Sequence, residues 1–165
     1  MYDLKTIIES AYNGREDEIP ERMLCIDPGN TTGICLFVKG QLESWAQLVT
    51  IQETLGENGC KSQIAWEGLM DYIKQIKPTL IVCENYRVYS HKLERHTFSE
   101  VPTLRLIGGI DLLAYQLGVP IRYQMAASAK GFANDERLKA WGLWQEGMRH
   151  SRDAIRHGIY YLITH

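Results

Sequence analysis

The chain has 165 residues, 45% of them hydrophobic and 23% charged, with a formal net charge of −2. That length accommodates one domain with a proper buried core, and the composition excludes disordered, collagenous and fibrous classes. No apolar stretch approaches the roughly 20 residues that span a bilayer, and the N-terminus, MYDLKTIIESAYNGREDE, is acidic where a signal peptide is basic and then apolar, so a soluble, cytoplasmic protein is expected.

Residues 4–12 place Leu4, Ile7, Ile8 and Ala11 at the i, i+3, i+4, i+7 spacing of an amphipathic helix, ended by Asn13-Gly14. A polar stretch to Pro20 follows, so residues 1–22 read as a helical extension and linker ahead of a domain over 23–165. Met23–Ile26 is a short buried strand stopped at Asp27-Pro28-Gly29. Gly33–Lys39 is a second strand, Lys39-Gly40 a tight turn, and Leu42–Thr50 a third strand, which together predict an antiparallel meander. GENGCKS reads as a loop, with Ser62 capping a helix whose apolar stripe is Ile64, Ala65, Leu69, Tyr72, Ile73 and Ile76. Leu80–Cys83 is a wholly apolar fourth strand, the signature of a strand covered on both faces, and it ends at Glu84. After a polar, basic and aromatic stretch, Leu104–Leu117 is a long apolar helix in which Gly108-Gly109 permits close packing. Pro120–Tyr123 is a fifth strand, Asn134–Trp144 is helical, and Ser151–Ile163 is a closing helix.

Helical crossovers before strands four and five make them parallel to the first. The expected fold is α/β: a mixed five-stranded sheet, three strands antiparallel and two parallel, with helices on both faces and an extra N-terminal helix. The four cysteines form no C-x-x-C pair, which removes the common zinc and redox motifs; Cys25, Cys35 and Cys83 lie in apolar runs and read as buried thiols.

Three acids occupy special places in this plan. Asp27 ends strand one, and Glu84 ends strand four, which the topology sets beside strand one. Asp153 lies on the closing helix, with His150 three residues earlier on the same helical face. Each has a plain structural explanation: a turn former before Pro-Gly, a solvated strand end, a residue favoured near a helix N-terminus. Together they converge on the crevice at the carboxyl ends of the strands, where open α/β sheets bind ligands. Hard carboxylate ligands of this kind suit Mg²⁺, with Mn²⁺ able to substitute, and two such ions about 4 Å apart can activate water and stabilise a leaving oxygen in phosphodiester hydrolysis. His150 could ligate metal as a neutral imidazole or orient the attacking water.

MLCIDPGNTTG at 23–33, IVCEN at 81–85 and HSRDA at 150–154 resemble the RuvC-type Holliday-junction resolvases of the RNase H-like superfamily, from about Met23 to the C-terminus. The resemblance implies a homodimer that resolves four-way DNA junctions by paired symmetric nicks, with two divalent metal ions per site. It also implies that Asp27, Glu84 and Asp153 hold the metals and that His150 stands where the family has Asp or His. Val119–Tyr123 followed by Lys130 is similar to the family's fifth strand and the basic residue beyond it, which implies that Lys130 meets the scissile phosphate region. The dimer contact it implies is the Leu104–Leu117 helix. Residues 1–22 have no counterpart in the compact bacterial members, and Tyr86–His96 differs in detail; phage-encoded members vary in these ways.

The net charge conceals an asymmetry. Residues 1–84 carry 7 Lys and Arg against 13 Asp and Glu, whereas residues 85–165 carry 11 against 7. Arg87, Lys92 and Arg95 are interleaved with Tyr86, Tyr89, His91 and His96, offering cations to phosphates and rings to unpaired bases. Arg149, Arg152 and Arg156 flank Asp153, where they could line a DNA approach or neutralise the carboxylates; Lys130 and Lys139 extend the positive set. Three alternatives stand beside junction resolution: nuclease action on flaps, forks or RNA–DNA hybrids, a non-catalytic junction-binding protein, and an actin-like phosphate loop at Asp27, Gly29, Thr31 and Gly33. The last needs two such domains to enclose a nucleotide, so no nucleotide cofactor is expected.

Overall fold

The structure, a computed structural model, describes residues 3–56, 59–86 and 101–165. Helix α1 (Leu4–Ala11) and a 3-10 turn (Glu16–Glu18) precede β1 (Arg22–Asp27), β2 (Thr31–Val38) and β3 (Gln41–Val49). A hairpin of β4 (Ile51–Gly56) and β5 (Gly59–Ile64) leads to α2 (Trp66–Ile76) and β6 (Leu80–Glu84). Then come α3 (Pro102–Leu117), β7 (Ile121–Gln124), α4 (Ala126–Phe132), α5 (Asp135–Ala140) and α6 (Arg149–Thr164). Among the described residues, no helix is long and apolar enough to cross a membrane.

The main sheet has the order β3-β2-β1-β6-β7. β1, β2 and β3 pair antiparallel, while β6 pairs parallel to β1 and β7 parallel to β6, as the order of elements predicts. Alternation along β1 and β6 divides the core in two, because successive side chains of a strand face opposite sides. Met23, Cys25, Leu80 and Val82 belong to one cluster with Ala154, Ile155, Ile159 and Leu162 of α6. Leu24, Ile26, Ile81 and Cys83 belong to the other, with Leu69 and Ile73 of α2 and Leu106, Ile110 and Leu113 of α3. Cys25, Cys35 and Cys83 are free and buried. The apolar face of α1 is covered within the chain: Ile8 and Tyr12 are buried in the α6 cluster.

Three local expectations are corrected. Of the segment read as a loop, Gly56 lies in β4 and residues 59–62 lie in β5, which pair from Ile51↔Ile64 to Gly56↔Gly59 as a two-stranded sheet of their own. Helix α2 therefore starts at Trp66, and Ser62 lies in β5 opposite Glu53 rather than at a helix cap. The Ala65 amide is tied back to the Thr50 carbonyl at 2.8 Å, which closes the hairpin and holds Ala65 out of the helix. The expected helix over Asn134–Trp144 is shorter, with Asn134 as its N-cap accepting from the Arg137 amide at 2.9 Å, and α4 precedes it.

The paired glycines of α3 differ in their surroundings. A Cβ on Gly109 would overlap the Trp66 ring, so that ring packs directly on the α3 backbone, whereas a Cβ on Gly108 would meet nothing within 4 Å. Gly109→Ala is expected to lower stability by about 1–3 kcal/mol through overpacking. Gly108→Ala should be neutral or stabilising by up to ~1 kcal/mol, since Ala is the better helix former. Urea unfolding of the two variants checks the opposite signs.

Candidate active site

Strand parity and register bring the first two acids together. Asp27 follows Met23 and Cys25 on the α6 face of β1, and Glu84 follows Leu80 and Val82 on the same face of β6. The parallel register runs from Met23↔Leu80 to Ile26↔Cys83, so both carboxylates lie one step beyond the last pair, at neighbouring strand ends. The turn after Asp27 is pinned by hydroxyls. Thr50 Oγ1 donates to the Gly29 carbonyl at 2.6 Å and stands 2.6 Å from Thr32 Oγ1.

Helix α6 reaches this corner because its first turn is docked on β2 and β3. It has no side-chain cap of its own. Gln47 Oε1, on β3, accepts from the His150 amide at 2.8 Å, satisfying a donor that a helix N-terminus leaves open. Ser151 Oγ donates to the Ala46 carbonyl at 2.7 Å. Gly33, register partner of Gln47, lies directly beneath: a Cβ there would overlap the His150 carbonyl group.

The docked helix brings a partner to each acid. His150 Nδ1 is 2.9 Å from Asp27 Oδ2, and His157 Nε2 is 2.9 Å from Glu84 Oε2. Asp153 is held by the Arg156 guanidinium and by Lys130 Nζ at 3.0 Å. Arg156 also pairs with Asp135 and donates from Nε to the Ala133 carbonyl at 2.9 Å. Asp27 and Asp153 are 6% and 4% exposed, so their charges depend on these partners rather than on water. Burial, then the negative charges of Glu84 and Asp153, push the Asp27 carboxyl up to about 8. Burial lowers the His150 pKa, with Arg149 and Lys130 adding to that effect against Asp153 and Glu84. Both shifts favour a neutral Asp27–His150 pair sharing one proton.

Asp27, Glu84, His150, Asp153 and Lys130 are thus gathered at one corner of the sheet. Lys130, Arg149, Arg152 and Arg156 line a cleft of about 530 Å³ beside Asp153. Of the arginines flanking Asp153, Arg156 is the one that neutralises the carboxylate, from a buried position. Arg152 stacks its guanidinium 4.1 Å from the Trp144 ring and donates to the Gln145 carbonyl. Lys139 does not line the cleft; its Nζ lies 4.6 Å from the other cation's platform, the Trp144 ring. Arg87, Lys92 and Arg95 lie outside the described residues. Sequence reasoning missed Gln47, Gln124 and His157, whose partners are remote along the chain; His157 does fall four residues after Asp153, one helical turn along α6.

The donors fit a hard divalent cation in kind. Carboxylates crowded where water is scarce repel one another, and a cation relieves that repulsion. Among the described residues, however, no three His, Cys, Asp or Glu side chains lie close enough together as they stand to hold an ion. A cation would therefore have to compete with His150, with Arg156 and Lys130, and with the proton on Asp27.

No protein-family model matches the chain, and no curated protein does. Among solved structures, the chain is similar to Thermus thermophilus RuvC at 16% identity and a TM-score of 0.58, covering 86% of this chain and 93% of that one. It is similar to T. thermophilus RuvC in complex with a Holliday junction substrate at 14% identity and a TM-score of 0.56, covering 86% and 92%. The yeast mitochondrial Holliday junction resolvase is also matched, at 14% identity and a TM-score of 0.46, over 97% and 83%. The chain has the RuvC fold. That fold is the RNase H-like sheet expected from the IDPG, IVCEN and HSRDA segments.

The Asp27 shift sets a pH dependence. Folded Asp27 keeps its proton to about pH 8, whereas an unfolded Asp loses it near 3.8, so between those values the folded state binds more protons and stability falls as pH rises. Without divalent ions, this group contributes a downward slope of up to about 1.4 kcal/mol per pH unit. Asp27→Asn should remove that slope, as read from urea unfolding at several pH values.

Proposed function

We propose that this chain is a metal-dependent endonuclease that resolves four-way DNA junctions as a homodimer, by paired symmetric nicks. The observation that carries the proposal is the meeting of Asp27 and Glu84, at the strand ends of a RuvC fold, with Asp153 of the helix that crosses them. A solved structure holds T. thermophilus RuvC in complex with a Holliday junction substrate, and its match covers 86% of this chain.

Asp27, Glu84 and Asp153, with His150 beside them, are the residues that would hold Mg²⁺ or Mn²⁺. Two such ions would supply an activated water and stabilise the leaving oxygen of a phosphodiester. With Asp27 ionised, His150 donates Nδ1–H to it and keeps Nε2 as the basic nitrogen. Burial lowers the His150 pKa and so favours the neutral ring, the form able to take a proton. Lys130 reaches from Asp153 to the open cleft, where Arg149 and Arg152 add positive charge for a phosphate backbone. Two-fold pairing would set two such sites against opposing strands of a junction. Leu104, Leu112 and Tyr115 share an exposed face of α3, Tyr115 to 83%, and this face is the proposed contact with a second copy.

One observation favours a second reading, a junction-binding protein without catalysis: Arg156 and Lys130 already neutralise Asp153. Synthetic four-way junctions, forks, flaps and RNA–DNA hybrids incubated with Mg²⁺ separate the two. The nuclease reading expects junction nicking that Asp27→Asn reduces about a thousandfold or more, the loss of several kcal/mol of transition-state stabilisation, with junction binding retained. Tight binding with no nicking by the unaltered chain would favour the second reading. Leu112→Arg is expected to give a monomer by sedimentation and to uncouple the two nicks.

A further inference from the structure

His157 is 1% exposed, more deeply buried than Asp153 or Asp27, and both of its ring nitrogens are engaged. Nε2 stands 2.9 Å from Glu84 Oε2, and Nδ1 stands 3.0 Å from Gln124 Oε1. Glu84 and Gln124 are register partners at the ends of β6 and β7, so one imidazole from α6 bridges two strand ends. An ionised Glu84 can only accept, which places a proton on Nε2.

Gln124 permits two arrangements around that fixed point. As it stands, its Nε2 is buried with no hydrogen-bond partner, and Oε1, which can only accept, faces Nδ1. Turning the amide presents Nε2 to Nδ1, which then accepts. In both arrangements His157 Nε2–H donates to Glu84 Oε2. Among the described residues nothing bonds Glu84 Oε1. With both nitrogens engaged, His157 has no lone pair to offer an ion, which distinguishes it from His150.

We propose that His157, oriented by Gln124, is a positioning residue for Glu84: it holds the carboxylate through Oε2 and leaves Oε1 as the oxygen presented to a divalent cation. The inference rests on the metal-dependent reading of the site and adds the device that fixes one of its ligands. Hydrogen bonds that orient a ligating carboxylate commonly change metal affinity 10–100-fold.

The test is Mn²⁺ binding to the full chain without DNA, measured by electron paramagnetic resonance of the free ion. His157→Phe keeps the ring and removes both hydrogen bonds; His157→Gln restores an amide N–H close to the position of Nε2. His157→Phe should weaken Mn²⁺ binding about 10–100-fold, and His157→Gln should recover most of that loss. Gln124→Leu should give a smaller loss that vanishes in the His157→Phe background, because both act through one chain of hydrogen bonds. Circular dichroism establishes that each variant is folded. Unchanged affinity in folded His157→Phe, or equal losses in the Phe and Gln variants, overturns the inference. Should His157→Phe fail to fold, Gln124→Leu decides: weaker binding supports the inference and unchanged binding overturns it. An unaltered chain that binds no Mn²⁺ overturns the metal-dependent function and this inference together. Normal binding by the unaltered chain with unchanged variants removes this inference alone.

Discussion

Carboxylates confined where water is scarce must be paired, protonated or bound to a cation, and that constraint organises one corner of this molecule. Asp27 and Glu84 end adjacent parallel strands on the same face, and Asp153 comes down on them from α6. Their mutual repulsion is what, after burial, drives Asp27 towards its neutral form. From α6, His150 and His157 pair with Asp27 and Glu84, and Arg156 pairs with Asp153, whose charge Lys130 of α4 also offsets. The helix that brings in the third acid therefore also supplies a partner to each of the three.

That dependence explains the care with which α6 is seated. Its first turn is bonded to Gln47 and to the Ala46 carbonyl, and it passes over a glycine that leaves no room for a side chain. Further along, Ala154, Ile155, Ile159 and Leu162 join the core of the β1 and β6 face. Apolar burial fixes the height of the helix over the sheet, and the polar contacts at its start fix its position along the strands. Both coordinates are needed to bring a histidine to each strand-end acid.

The parts of this arrangement that were legible in the sequence are those with local or periodic causes. The apolar runs before Asp27 and Glu84 mark strands covered on both faces, the Pro-Gly turn marks the end of β1, and the order of elements gives the parallel pairing. The partners of the acids have no local cause. His150 and Asp27 are 123 residues apart, His150 and Gln47 are 103 apart, and His157 and Glu84 are 73 apart. A glutamine on a half-buried strand or a histidine among helix residues has no distinguishing pattern until the fold brings its partner. The β4–β5 hairpin escaped for a different reason: its strands are largely polar, so their alternation is weak and resembles a loop.

The carboxylate corner as an ion site is tested most directly by anomalous diffraction from crystals of the chain grown with Mn²⁺. A manganese peak bonded to Asp27, Glu84 and Asp153, with Arg156 or Lys130 displaced from Asp153, is the expected result. Manganese absent from this corner at saturating concentration, with Asp27 still on His150 and Asp153 still on Arg156, would contradict it.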